Sequence, residues 1–316
     1  MNAFSPIFRW LSPQGAGGRL TILIFHRVLA EPDLMFPDVP DVRRFDQILR
    51  WLGSWLNVMP LDAASRALAS GSLPDRAAAI TFDDGYADNF INAMPRLRAH
   101  GMSATFFIVT GALDGGRMWN DTIIEAMRRC RNVELDLREI ELGGYSLGSP
   151  EARRAASEAV IDQLKYRDVS ARLAAAERVA QLAKVVPRTD LMMTVEQVKS
   201  MRHAGMQIGA HTVSHPILAR LSRDNARQEM ANSKIFLEKV LGEKVGLFAY
   251  PNGKPGEDFH DQHAALAREI GFDAAVTTAP SAARVGCDIM QLPRFTPWDR
   301  SRFRFGARLA LNLQRI

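Results

Sequence analysis

Two pairs of side chains in this sequence have the types and spacing that metal-assisted hydrolysis requires. Asp83 and Asp84 are adjacent carboxylates before Gly85. Two neighbouring negative charges repel unless a cation lies beside them, and a glycine lets the chain turn so that both face one site. His211 and His215 are four residues apart and followed by Pro216. The proline disfavours helix at His215, which places the pair on a loop or short first turn. Two neutral imidazoles, one carboxylate and a water form a common catalytic metal shell. The bland readings are a turn with a helix cap for Asp-Asp-Gly, and two unrelated histidines.

A third segment, Phe248-Ala249-Tyr250-Pro251-Asn252-Gly253, reads as a strand running into a rigid turn. It could wall a pocket and aim a backbone N–H inward. Arg294, in Leu292-Pro293-Arg294-Phe295, lies on the surface or is buried with a carboxylate partner. If buried, Asp83 is its natural partner, with a pKa tuned downward.

Short apolar runs at residues 20–25, 77–82, 104–109, 206–210, 245–249 and 273–277 read as buried strands, with 291–294 as a last short one. Helical patterns lie between them. Asp41 caps one that buries Phe45, Ile48, Leu49 and Leu52, Thr194 and Gln197 form a capping box, and Gly101, Gly205, Gly242 and Gly271 stop others. Such alternation implies a mostly parallel α/β sheet, and about seven strands could close into a barrel. The odd polar residues follow these strands: His26, Asp83 and Asp84, His211 and His215, Tyr250 and Asn252, Arg294. Strand carboxyl ends are where such folds build active sites, so these residues should converge.

Residues 115–195 read as a charge-rich, mostly helical insertion without a core of its own, with Ser149-Pro150-Glu151 starting one helix. The expected organisation is an N-terminal extension over 1–19, a barrel over 20–300 carrying the insertion, and a basic-aromatic tail over 301–316.

The chain has 316 residues, 47% hydrophobic and 24% charged, which excludes collagen, low-complexity disorder and a disulfide-stapled scaffold. Cys130 and Cys287 form no CxxC motif and suggest no need for an oxidising compartment. The net charge of +5 favours anionic polymers or lipid headgroups. No nucleic-acid motif accompanies it, so no nucleic-acid partner is expected. No run approaches the ~18 apolar residues of a membrane span, and Arg9, Pro13 and Gln14 break any signal-peptide core. A cytoplasmic protein is expected. Peripheral membrane contact could come from residues 4–11 or from Arg302-Phe303-Arg304-Phe305; docked terminal helices are the alternative.

Three segments together, Thr81-Phe82-Asp83-Asp84-Gly85-Tyr86, His211-Thr212-Val213-Ser214-His215-Pro216 and Phe248-Ala249-Tyr250-Pro251-Asn252-Gly253, resemble the polysaccharide deacetylase family, the NodB-homology group or carbohydrate esterase family four. The resemblance spans roughly residues 20–296 apart from the insertion. It implies a distorted (β/α) barrel. It also implies a divalent metal, most often Zn2+, on Asp84, His211 and His215, although cobalt, nickel or iron suits the same donors. Asp83 would be the general base toward a water on that metal, and a backbone N–H near Tyr250 would help stabilise the oxyanion. The substrate would be an N-acetylated amino sugar of a saccharide, losing acetate to leave a free amine.

Two features depart from the common pattern. Residues 246–249 hold no arginine before the Tyr-Pro pair, and no histidine follows His263 to act as general acid. Arg294 stands in for the first, and His26, at the end of the first strand, for the second; both resemble the exopolysaccharide branch. Tyr250, Asn252 and Trp119 are the expected substrate contacts, Trp119 by stacking on a sugar ring unless it belongs to the core. Two alternatives stand: a deacetylase or deformylase of a lipid-linked amino sugar at the inner membrane face, and a non-catalytic saccharide-binding module on the same barrel.

Overall fold

The computed structural model describes residues 4–315; residues 1–3 and 316 of the two expected terminal segments lie outside them. The chain runs α1 (Phe4–Leu11), β1 (Arg19–Phe25), α2 (Val42–Trp55), β2 (Asn57–Val58), α3 (Leu61–Ala69), β3 (Ala77–Phe82), α4 (Met94–Ala99) and β4 (Thr105–Ile108). The insertion follows as α5 (Trp119–Arg129), a hairpin of β5 (Glu134–Asp136) and β6 (Gly144–Ser146), α6 (Pro150–Leu164) and α7 (Val169–Leu182). Then come α8 (Val195–His203), β7 (Gln207–Ala210), α9 (Arg223–Leu241), β8 (Leu247–Ala249), α10 (Asp261–Ile270), β9 (Ala274–Val276), β10 (Ala283–Arg284) and α11 (Arg302–Gln314).

The local signals act as expected. Asp41 accepts from the Arg44 N–H at 2.7 Å, Thr194 and Gln197 close a capping box, and Gly242 and Gly271 end their helices at positive φ.

The main sheet has the order β10-β1-β3-β4-β7-β8-β9, with β2 beside β3. Every pairing is parallel except β1 with β10. The open side is closed by residues 292–295. Leu292 bridges Val276 of β9, and Phe295 bridges Leu23 of β1. The Phe295 N–H donates to Ile22 O at 2.7 Å and the Thr277 N–H to Leu292 O at 2.8 Å. The sheet therefore curls into a distorted (β/α) barrel. The strand expected over 291–294 is only a pair of bridges. Pro293 has no N–H to donate, and the Arg294 N–H turns to Ala279 O at 3.0 Å.

Alternation along the strands divides their side chains between two cores. Leu20, Ile22, Ala79, Phe107, Ala249 and Val276 fill the barrel interior, which Leu61, Ala64 and Leu68 of α3 join. Leu23, Phe25, Ile80, Phe82, Phe106 and Phe248 face the outer helices. Phe25, Phe82 and Phe106 stack across three adjacent strands at centroid distances of 5.2 and 4.8 Å.

The insertion differs from expectation. It has its own core, built from Trp119, Ile123, Met127, Leu135, Leu147, Val160, Leu164 and Val179 with Ala126, Ala156, Ala176 and Ala180. These residues come singly or in pairs from α5, α6, α7 and the hairpin, so packing their apolar faces together makes a core without any apolar run. Among the described residues, no helix is long and apolar enough to cross a membrane.

Candidate active site

The site begins where β3 ends. The Asp83 N–H still donates to Phe25 O at 3.0 Å, so Asp83 extends the ladder with β1. The chain then turns sharply. Asp84 has φ +74 and Gly85 φ +88, and the Gly85 N–H returns to Asp83 O at 3.0 Å. A left-handed Asp is uncommon and costs backbone strain, which neighbouring packing must sustain. Any Cβ at residue 85 would lie 3.2 Å from the Ile108 side chain. The turn lets the two carboxylates diverge.

Asp83 meets Arg294. The guanidinium donates from Nη1 to Oδ1 and from Nη2 to Oδ2, both at 2.7 Å. Its remaining donors reach Thr277 O at 2.7 Å and Thr81 Oγ1 at 3.2 Å, and the residue is only 1% exposed. Burial pushes the Asp83 carboxyl up. The charge of Arg294 and the paired hydrogen bonds it makes outweigh it and hold the group well below the usual carboxylate range. Asp83 is therefore an ionised, fixed carboxylate.

Asp84 meets the two histidines. Its Oδ1 is 3.6 Å from Nε2 of His211 and 3.6 Å from Nε2 of His215. One ligand atom from each of the three lies within 4.8 Å of the others. The His211 Nδ1 sits 2.7 Å from Ala249 O, an acceptor, so the ring donates there and leaves the Nε2 lone pair toward Asp84. Burial keeps the His215 imidazole well below its ordinary pKa and thus neutral, the form that ligates. Burial likewise raises the Asp84 carboxyl, whose Oδ1 is buried with no hydrogen-bond partner. An orphaned carboxylate oxygen facing two imidazole nitrogens is a donor set that fits a divalent cation.

The loop that carries the histidines is strained and braced. Thr212 and His215 both have positive φ, at +65 and +54. The Thr212 hydroxyl accepts from the His215 N–H at 3.1 Å. From α9, Glu229 accepts the Val213 and Ser214 N–H groups at 2.9 Å and the Ser214 hydroxyl at 2.8 Å. The Gly111 N–H donates to Val213 O at 2.8 Å, and a Cβ there would lie 2.7 Å from that oxygen. Residue 111 must be glycine for this approach.

A cavity of about 470 Å³ opens over these groups. His26, Asp83, Asp84, His211, His215 and Asn252 line it, with Phe36, Pro40, Pro297 and Trp298 among its walls. Arg294 sits behind Asp83. Two expected contacts are corrected. The Tyr250 ring is buried against Phe259 at 3.9 Å, its hydroxyl donates to Met290 O at 2.9 Å, and it does not line the cavity. The Tyr250 N–H is engaged by Val276 O at 3.3 Å. Tyr250 lies two residues after Phe248, so alternation puts its ring on the same face, toward the outer helices and away from the cavity. Trp119 is 7% exposed in the insertion core, with the Arg172 guanidinium 4.7 Å from its ring, and does not line the cavity either.

Sequence reasoning missed three features. Glu229 is one of three acids on α9, a polar helix, with no signal to mark it. Asp121 looks like a first-turn acid of α5, yet it is buried, accepts the Tyr86 hydroxyl at 3.1 Å and leaves Oδ2 unpartnered. Trp298 is an isolated aromatic in an irregular segment, and only the fold puts it at the cavity mouth.

Comparison with known proteins agrees with this fold. A family model for polysaccharide deacetylase matches residues 70–275. The protein YxkH of Bacillus subtilis (strain 168), named for the same family, is 22% identical over 267 residues, which cover 84% of this chain and 66% of that protein. Among solved structures, IcaB from Ammonifex degensii superposes with a TM-score of 0.61 at 20% identity, covering 96% of this chain and 99% of that one. The Streptococcus pyogenes deacetylase PplD, solved with acetate, gives 0.60 at 20% identity, covering 93% and 98%. These two likenesses speak for the fold, and the family model spans more than half of the sequence: this chain belongs to the polysaccharide deacetylase family.

Proposed function

We propose that the protein removes N-acetyl groups from amino sugars of a polysaccharide or oligosaccharide of the exopolysaccharide type. The observation that carries the reading is the meeting, in one cavity, of an arginine-fixed carboxylate and an Asp-His-His donor set. A divalent cation held by Asp84, His211 and His215, with zinc the first choice, would polarise the acyl carbonyl and lower the pKa of a water bound to it.

The chain's own residues do the rest. Asp83, ionised and oriented by Arg294, takes a proton from the attacking water at its carboxylate. His26, on the cavity wall at the end of β1, gives a proton to the sugar nitrogen as the C–N bond breaks. Acetate and a free amine leave. Asn252, in left-handed backbone at φ +58, offers a side-chain amide to the sugar from the same wall. The test is acetate release from N-acetylglucosamine oligomers by protein loaded with zinc, beside the same protein after chelation. Release that needs the metal supports the reading. Saccharide binding with no release under either condition would favour a non-catalytic binding module.

A second reading, a lipid-linked amino sugar as substrate, draws on the terminal helices. Trp10 of α1 and Phe303 of α11 are exposed large apolar groups beside Arg9 and Arg304, and the Phe4 and Phe303 rings lie 6.0 Å apart. Basic and aromatic side chains together suit an anionic membrane surface. Pelleting with anionic but not neutral vesicles would support it.

A further inference from the structure

We propose that Trp298 is a sugar-stacking platform that joins the catalytic cavity to a second saccharide subsite, so that the protein grips a chain of sugar units rather than one. This rests on the saccharide reading above.

Trp298 is 58% exposed, unusual for the largest side chain at the mouth of a cavity. It also lines a neighbouring cleft of about 310 Å³, whose other walls include Leu34, Pro37, Arg44 and Arg300. Asp38, Val39, Pro40 and Pro297 are common to both hollows. The indole therefore stands on the ridge between two adjoining spaces, one of which holds Asp83 and the histidines.

The ring is held in place rather than loose. The Arg308 guanidinium lies 4.5 Å from the indole centroid and 4.3 Å from that of Phe295. Arg308 is itself fixed, donating to Asp299 Oδ2 at 2.5 Å and to Thr296 O. Cation–π contact supports the indole from one side. Across the ridge, Arg300 donates to Pro37 O at 2.9 Å and ties the opposite wall to the same segment. A rigid, exposed aromatic loses little freedom on binding. Its apolar face matches the C–H face of a pyranose, while the sugar's hydroxyls stay in water or reach polar neighbours such as Asp38. One unit placed for chemistry beneath Trp298 puts the next over the ridge and into the second cleft.

The experiment measures acetate release by the zinc-loaded full chain across N-acetylglucosamine oligomers of increasing length, from one unit upward, alongside tryptophan fluorescence titrations with the same oligomers. In the parent, KM should fall with length, and oligomers should quench the fluorescence. In Trp298→Ala the longer oligomers should lose about tenfold in KM, with kcat changed far less, and the length dependence should flatten. Trp298→Phe should restore most of it. Quenching should be lost in Trp298→Ala and kept in Trp10→Phe, a control indole on α1. A Trp298→Ala protein that keeps the parent's length dependence and quenching would overturn the proposal. Failure of the saccharide reading looks different: no acetate from the parent at any length. In that event quenching that depends on Trp298 would still support the subsite, and its absence would reject it.

Discussion

Arg294 and Asp83 are joined by two parallel hydrogen bonds of 2.7 Å, although 211 positions separate them in the chain. The bond links the closing segment of the barrel to the end of β3. On the proposed mechanism catalysis depends on closure, because the residue that fixes Asp83 sits on the segment between β9 and β1.

Replacing Arg294 should therefore affect both stability and pH dependence. Arg294→Met leaves Asp83 buried without its partner, at a cost of about 3–5 kcal/mol. Asp83 is depressed in the folded protein, so its favourable contribution is present above the unfolded value near 3.9 and lost as pH falls through the folded one. In the variant the carboxyl rises, and the acidic limb of the kcat/KM profile should move to higher pH. Arg294→Lys, which cannot make the paired bonds, should fall between the two. Chemical denaturation and a pH–rate profile check both effects. An unmoved acidic limb in both variants would contradict the pairing's role.

His26 should act on the leaving group and not on the metal. His26→Ala is expected to lower kcat by ~10²–10⁴-fold while metal content stays at the parent level. Activity toward an ester, whose leaving group needs less protonation, should suffer much less. Loss of metal with unchanged turnover per bound ion would remove His26 from the acid role.

Asp121 should make the stability of the chelated protein depend on pH. Burial, assisted by the charges of Asp84 and Glu125 and opposed by Arg27, pushes its carboxyl up to about 7. The folded protein therefore holds this proton more tightly than the unfolded chain. The stability it contributes is complete below about 4 and is lost as pH rises toward 7, at up to about 1.4 kcal/mol per pH unit. Asp121→Asn should flatten that slope in urea titrations of the chelated protein. An unchanged slope would mean that Asp121 is not the titrating group.

Much of the site could be read from sequence because strand ends mark themselves. The apolar runs before His26, Asp83 and His211 name the strand, and the first polar residues after each run name the rim of the barrel. Convergence then follows from parallel topology. What could not be read depends on tertiary choices. Nothing in a Tyr-Pro-Asn-Gly turn says whether the ring of Tyr250 faces the cavity or Phe259, and packing settled it against Phe259. Trp119 begins an amphipathic helix whose partners, α6 and α7, are distant in sequence. The alanines that make the insertion core compact carry no periodic signal strong enough to announce it. The bracing by Glu229 and the place of Trp298 at the cavity mouth depend on neighbours that only the folded chain brings near.

The most direct test of the account compares the parent with Asp83→Asn, measuring bound metal and acetate released from N-acetylglucosamine oligomers in the same preparations. The account predicts one divalent ion per chain in both proteins, with acetate from the parent and at least a ~10²-fold smaller yield from the variant. Equal acetate from both would contradict Asp83 as the base, and no bound metal in either would contradict the Asp84-His211-His215 site.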